Sequence, residues 1–447
     1  MNLAALLIRR FFQSAAVISL ALMSSLCDVA AAEEAAGESG GAGESYPVIY
    51  AVKVVGNRWT QSDFILREMK IKVGMEADPD ALEYDRLHLL SLGLFNQVEI
   101  SLASDRGRAV VLVRITERFY IYPYPIFRYD PADPKRRVFG LTLNDDNFRG
   151  YGEQLTGGWW DGYENGFILI HRDPWFSYRG LYGVRAQIFS NNLELKGPDG
   201  LHHPAKIESF LIRVKRRLTR DDWAGLEMEW EEHSSPAKFY TLNASGRDRL
   251  FDLRFYYEHD RRDYKYYPTK GYYALAVLKG NWLADTSHSF FRQSLDLRAY
   301  RQAGPLIFAT RVGAQFTQKE LPWYRLADLT QLDVRSDEPL GLKGSRSLSG
   351  SFEVRFNLFP MHRVSLPDIP LAGSYLQKMK LSVEGLVFVD RGYVYIPESR
   401  RNLEMTAYGC GLQFQVPYIE IIHATVGWGP KNPLDNPAFV VDTNVTF

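Results

Sequence analysis

The 447-residue chain holds only two cysteines, Cys27 and Cys410, which excludes a disulfide scaffold and tandem zinc sites. It carries no excess of either charge. Its 53 Lys and Arg balance 53 Asp and Glu, so no electrostatic footprint for nucleic acid exists and none is expected as a partner. Beyond the N-terminus it lacks any apolar run near the roughly 20 residues that a membrane-spanning helix needs, and its mean hydropathy is −0.25. What it has in quantity is 26 Tyr, 26 Phe, 9 Trp, 35 Gly and 22 Pro. Aromatic residues combined with turn formers favour many strands over helices.

Residues 1–32 read as an export signal. Arg9 and Arg10 form a basic start, a stretch of apolar and small residues follows, and Ala30, Ala31 and Ala32 supply a small-residue cleavage pattern before Glu33. The run is too short and wrongly flanked for a stable span. Leu26 before Cys27 argues against a lipid anchor at that cysteine, and cleavage near Ala32 leaves Cys410 as the remaining one. Residues 33–45 are small, polar and Gly-rich, the composition of a flexible linker.

Residues 46–118 read as a small α+β domain. A β-branched run at Ile49–Val55 ends at Gly56-Asn57, a strand followed by a turn. Thr60-x-x-Asp63 predicts a capped helix, and Asp78-Pro79 predicts the start of a second, which Gly93 stops. Two further strands are expected at 98–102 and 110–116, giving the order β-α-α-β-β. From their place after the second helix, Phe95 and Val98 are expected in the core.

Residues 119–447 carry short runs of alternating character separated by turn clusters. Leu226, Met228 and Trp230 alternate with Glu227, Glu229 and Glu231, and Phe352, Val354 and Phe356 alternate with Glu353, Arg355 and Asn357. One apolar and one polar face per strand is the pattern of a membrane barrel, although a water-soluble sandwich shares the period. Candidate strands begin near Ile121 and recur to Phe439, about sixteen in all, an even number as single-chain bacterial barrels require. The longest irregular stretch, 319–350, falls between the eleventh and twelfth candidates, and a loop of that length is commonly functional.

Several motifs together resemble one superfamily, the bacterial surface antigens, which join POTRA domains to a sixteen-stranded outer-membrane barrel. Members serve as outer-membrane protein assembly factors or as two-partner-secretion transporters. Gly56, Gly93, Phe95 and Val98 resemble the POTRA pattern. Asp260 and Arg262 with Pro268 and Gly271 resemble a family turn and strand. Phe388-Val389-Asp390-Arg391-Gly392 resembles its F-x-D-x-G strand end, and Gly409-x-Gly411 another barrel strand. Phe439, Val441, Val445 and Phe447 resemble the C-terminal strand signal read by the insertion machinery. In the family an in-folded loop carries V-R-G-[FY], whose Arg pairs with acids on the barrel wall. The resemblance sets Lys343 and Gly344 at that tip, with Arg346 as a rival cation and Glu353 and Asp390 as the wall partners. Strand parity independently puts Glu353 and Asp390 on polar faces.

The resemblance implies a β-dominated protein, a transmembrane antiparallel barrel preceded by one POTRA-like domain, set in the outer membrane with that domain in the periplasm. It implies outer-membrane lipid and unfolded or β-strand client polypeptides as partners, with room for periplasmic or lipoprotein accessory factors. A client is expected to add to the POTRA edge and then to a seam between the first and last strands. Such a step makes and breaks no covalent bond, so no enzyme activity, cofactor or metal is expected. His171-Arg172-Asp173 lacks the rest of a kinase site, Glu231-Glu232-His233 lacks zinc-protease spacing, and no G-x-S-x-G elbow exists. The adjacent His202 and His203 cannot share one face of a strand.

Overall fold

The computed structural model describes residues 46–447 except 131–132, 178–180, 197–200, 285, 287, 318–321, 326, 329–333, 336–342, 366–376, 397–400, 417–419, 430–437 and 443–447. The expected export signal and linker lie outside the described residues.

In the small domain, β1 (Ile49–Val55) leads to α1 (Ser62–Glu68) and α2 (Pro79–Ser91), then to β2 (Phe95–Asp105) and β3 (Arg108–Glu117). β3 lies at the centre, parallel to β1 and antiparallel to β2. Val111 and Val113, two apart on β3, share one face and are buried in one core with Phe64, Ile65 and Leu89 from the helices. Asp78 caps α2 by accepting the Asp80 N–H at 3.0 Å, with Pro79 at the first helical position, where its missing N–H costs nothing. The cap expected at Thr60 is not there. α1 starts after Gln61 with no side-chain cap, and the buried Thr60 hydroxyl instead bonds the Tyr120 hydroxyl at 2.9 Å. A long-range contact replaces the local one. The Glu117 carboxylate at the end of β3 accepts the backbone N–H groups of Arg58, Trp59 and Thr60 and so fixes this turn.

Sixteen strands then form a single sheet. The first eight are β4 (Ile121–Asp130), β5 (Asp133–Phe148), β6 (Glu153–Gly162), β7 (Asn165–Ser177), β8 (Tyr182–Lys196), β9 (His202–Arg217), β10 (Asp222–Ser234) and β11 (Arg247–Asp260). After β12 (Gly271–Leu283), β13 (Ser289–Ala303) and β14 (Leu306–Thr317) comes a long connection holding two-residue strands β15 (Ala327–Asp328) and β16 (Lys343–Gly344). The barrel resumes with β17 (Arg346–Val364), β18 (Met379–Ile396), β19 (Arg401–Val416), β20 (Glu420–Trp428) and β21 (Ala438–Asp442). Every barrel strand pairs antiparallel with its sequence neighbour, β14 with β17 across the connection. Each of the sixteen strands begins within about seven residues of a start read from the sequence.

Burial decides between the barrel and the soluble sandwich. On β10, Glu227 and Glu231 are 3% and 6% exposed, while Met228 and Trp230 are 39% and 42% exposed. On β17, Phe352 is exposed beside the buried Glu353 and Arg355, and on β18, Val387 and Val389 are exposed while Asp390 is buried. Apolar side chains point out and charges point in, the reverse of a water-soluble protein. Such an exterior suits hydrocarbon, and a sheet crossing it must satisfy its backbone polar groups internally. The molecule is therefore a transmembrane β-barrel with a polar interior.

Candidate functional site

The connection between β14 and β17 folds onto the inner wall. Arg335 Nε and Nη2 each donate to a different oxygen of Asp390 at 2.8 Å, and Nη1 donates to Glu353 at 2.6 Å. The Arg335 backbone N–H adds a bond to Asp390 at 3.1 Å, and Ser351 Oγ donates to the other oxygen. The guanidinium lies over the Phe388 ring, 3.5 Å from its centroid. Asp390 and Glu353 are fully buried. A planar fork on a carboxylate, stacked on an aromatic face, is an arginine arrangement that lysine cannot reproduce. Close approach of the loop depends on glycine: a Cβ on Gly427 would sit 1.9 Å from the Arg335 carbonyl oxygen, and one on Gly392 would meet Val334 at 2.8 Å.

A second anchor grips another part of the wall. In the 3-10 turn Trp323–Arg325, Arg325 Nη2 donates to Glu231 at 2.5 Å and to Asp252 at 2.9 Å. Tyr324 donates to Asp248 at 2.8 Å and stacks on His233 with ring centroids 3.9 Å apart. Three strands, β12 to β14, separate this anchor on β10 and β11 from the Arg335 anchor on β17 and β18. Two described pieces of the connection are thus held on the inner wall at separate places. Glu229, Glu231 and Asp252 come close enough together to hold a cation. Lys279 lies 2.6 Å from Asp252 and Arg325 already bonds Glu231, so these carboxylates form a salt-bridge node.

The structure brings Glu353 and Asp390 together as expected but supplies a different cation. Lys343 and Gly344 pair with Asp328 and Ala327 in the short β15–β16 ladder, and the Lys343 side chain lies outside the described residues. Arg346 opens β17 and stacks over the Phe316 and Tyr395 rings at 4.6 and 5.4 Å, away from the two acids. The cation seen on the two acids is Arg335; Arg346 points elsewhere, and the Lys343 side chain is not among those described. The Arg335 signal was legible as Val334-Arg335-Ser336, which keeps the Val-Arg of the motif and drops its Gly and aromatic residue. Leu342-Lys343-Gly344 keeps the Gly and drops the Arg, and the geometry follows the cation that can form a fork.

The remaining motif residues hold turns or permit close packing. Asp260 and Arg262 form an ion pair at 2.7 Å, Pro268 is buried, and Gly271 takes φ +95° with the Arg261 carbonyl 2.1 Å from where a Cβ would stand. Gly409 gives room to the Phe388 ring and the Val426 carbonyl, and Gly411 to the Ala424 carbonyl. Gly56 leaves space for the Ile115 carbonyl, Gly93 lies against the Tyr266 hydroxyl, and Phe95 and Val98 are buried in the small domain. Phe439 is exposed and pairs with Val426, and Val441 pairs with Ala424. Val445 and Phe447 lie outside the described residues.

The small domain docks on the barrel end opposite the long connection. Tyr120 and Tyr264 from the barrel join its core. Trp59 Nε1 donates to the Asn147 carbonyl at 2.8 Å. A charged clasp completes the dock. Glu68 accepts from Trp175 Nε1 at 2.6 Å, from His88 at 2.9 Å and from Arg217 at 3.3 Å, while Arg220 reaches the fully buried Asp85 at 2.8 Å. Burial alone would raise the Glu68 carboxyl; the His88 hydrogen bond and the Arg217 charge outweigh it and hold the group at about 2. Burial, then the nearby Asp221 carboxylate, pushes the Tyr84 hydroxyl up to about 12.

β4 and β21 are the two ends of the sheet order, and no register joins them among the described residues. Among the described residues β21 pairs with β20 from Ala438 to Asp442.

Residues 47–118 match the family model POTRA, described as a surface antigen variable number repeat. No curated protein matches the chain. Among solved structures, the crystal structure of BamA from Haemophilus ducreyi lacking POTRA domains 1–3 superposes with TM-score 0.51 at 16% identity, over 90% of this chain and 84% of that one. CdiB from Acinetobacter baumannii gives 0.52 at 11%, over 89% and 73%, and CdiB from Escherichia coli gives 0.50 at 11%, over 90% of both. At these identities the likeness is one of fold, and it extends over the POTRA domain and the barrel together.

Proposed function

We propose that this POTRA–barrel protein of the outer membrane, its POTRA domain in the periplasm, inserts or translocates client polypeptides. The observation that carries the reading is that β4 and β21, the two ends of the sixteen-strand order, share no register among the described residues. A client strand captured along the edge of the POTRA sheet can add to β4 there. Backbone pairing then satisfies polar groups that lipid cannot. No covalent bond changes in this step, so the reading involves no enzymatic residue and no cofactor.

Secretion through the lumen, in the manner of a two-partner-secretion transporter, is the alternative. It is favoured by the long connection lying inside the barrel on two anchors, a plug that a translocating chain would have to displace. A plain porin is the third reading, and it gives the docked POTRA domain no task. If residues 46–118 are deleted, a porin keeps its normal conductance. The first two readings separate on depletion of the protein, followed by comparison of the outer-membrane proteome with the secreted fraction. Loss of barrel proteins from the membrane supports insertion, and loss confined to secreted proteins supports translocation. Unchanged profiles in both fractions would overturn the proposal.

A further inference from the structure

The barrel register sets up a charged row whose β7–β9 part neither loop anchor touches. Arg172 on β7 is the direct cross-strand partner of Arg185 on β8, and Arg185 is the partner of Arg213 on β9. All three face the lumen. The row of opposite parity beside them, Leu169, Ile188 and Phe210, is likewise in register and is exposed on the lipid side. The inward row continues through Glu227, Arg254, Lys279 and Arg292 on β10 to β13.

Counter-charge is unevenly supplied along this row. Lys279 has Asp252, and Arg213 and Arg254 share the single carboxylate of Glu227. Among the described residues, neither Arg172 nor Arg185 has a carboxylate at ion-pair distance. Arg185 donates to the side-chain oxygen of its near neighbour Gln187, and its Nε is buried without a partner. Directly opposed strand residues have Cα atoms about 4.5–5.5 Å apart, and like charges there are destabilising. Three guanidinium groups stacked in this way have donors to spare and repulsion to relieve. Both are satisfied by one planar or tetrahedral oxyanion, which accepts forked hydrogen bonds from arginine.

We propose that the Arg172–Arg185–Arg213 ladder is a luminal binding site for an oxyanion group, a carboxylate or a phosphate. The site stands on register and charge and does not depend on which clients the protein handles.

The test is equilibrium binding to the full-length protein, folded in a zwitterionic detergent at low ionic strength, with inorganic pyrophosphate and a hexaglutamate peptide as separate probes. The expected result is saturable binding of at least one probe, weakened by salt. The Arg172→Gln/Arg185→Gln double variant should bind about tenfold or more weakly, the loss expected for removing charge-assisted pairs. Arg216→Gln, of opposite parity on β9, should bind like the wild type. Tighter pyrophosphate points to a phosphate source, and tighter hexaglutamate to acidic polypeptide. Barrel folding is checked by heat-modifiable gel migration. If the double variant does not fold, Arg185→Lys serves instead: it keeps the charge, loses the fork and should bind at an intermediate level. Absence of saturable binding of either probe to the wild type, or wild-type binding by the charge-removing or fork-removing variant, overturns the proposal.

Discussion

Arg335 lays a flat two-point fork on Asp390, with Nε and Nη2 each 2.8 Å from a carboxylate oxygen, and its third nitrogen reaches Glu353. Both acids are buried, so the arginine compensates two charges that water cannot. Arg355 also pairs with Glu353 at 2.9 Å, so removing Arg335 leaves chiefly the buried Asp390 without a cation, at a cost of roughly 3–5 kcal/mol. Arg335→Ala is expected to release the loop from β17 and β18, and Arg335→Lys to hold it only partly. Protease cleavage within the connection, followed in folded protein, should rank alanine above lysine above wild type. Gly427→Ala should behave like Arg335→Ala, because its Cβ would stand 1.9 Å from the Arg335 carbonyl oxygen while leaving every charge in place.

The Arg325 anchor carries its own prediction. Arg325→Ala removes the guanidinium shared by Glu231 and Asp252, leaving Asp252 with Lys279, and Tyr324→Phe removes the hydrogen bond to Asp248. The first should loosen the connection strongly and the second by about 1 kcal/mol, the worth of an ordinary hydrogen bond. If the two anchors hold one strap, the Arg325→Ala/Arg335→Ala double variant should depart from the sum of the single effects. A double-mutant cycle on cleavage rates checks this, and strict additivity would mean that the two ends are held independently.

The clasp at Glu68 gives a pH dependence. Its carboxyl in the docked state is held at about 2, below its ordinary value of 4.5. A depressed carboxyl contributes docking stability that is fully present above the ordinary value. That stability drains away as the pH falls from there towards the docked value. A tenfold change in proton affinity corresponds to about 1.36 kcal/mol, so the shift is worth on the order of 3 kcal/mol to the folded, docked state; His88 within the small domain supplies part of it, and Arg217 and Trp175 supply the docking share. Docking should therefore be insensitive to pH from 7 to about 5 and weaken below roughly 4.5. Trp175, which donates to Glu68 at 2.6 Å, offers a fluorescence report. Glu68→Gln should lower docking at neutral pH and flatten the acid transition.

The fold was largely legible in the sequence. Alternation such as Leu226-Glu227-Met228-Glu229-Trp230 states which side chains share a face, and a closed sheet in lipid leaves that pattern little freedom. Parity also identified Glu353 and Asp390 as inward acids. What the sequence hid were long-range choices. Thr60 looks like a helix cap, and only Glu117 and Tyr120, nearly sixty residues on, divert it. Lys343 sits in the better-looking loop motif, yet Arg335 has the planar head that fits Asp390. The second anchor joins Arg325 to acids 94 and 73 residues earlier, a pairing that no local spacing announces. The luminal arginine row appears only once register aligns β7, β8 and β9.

In the proposed function the barrel parts between β4 and β21. With Cys410 first replaced by Ser, cysteines are introduced in pairs, one within 126–128 on β4 and one within 439–441 on β21, and oxidised in the folded protein. A disulfide across these strands is expected to form and to abolish client insertion or export, with activity restored on reduction. A fully locked barrel that works as well as the reduced one would contradict it.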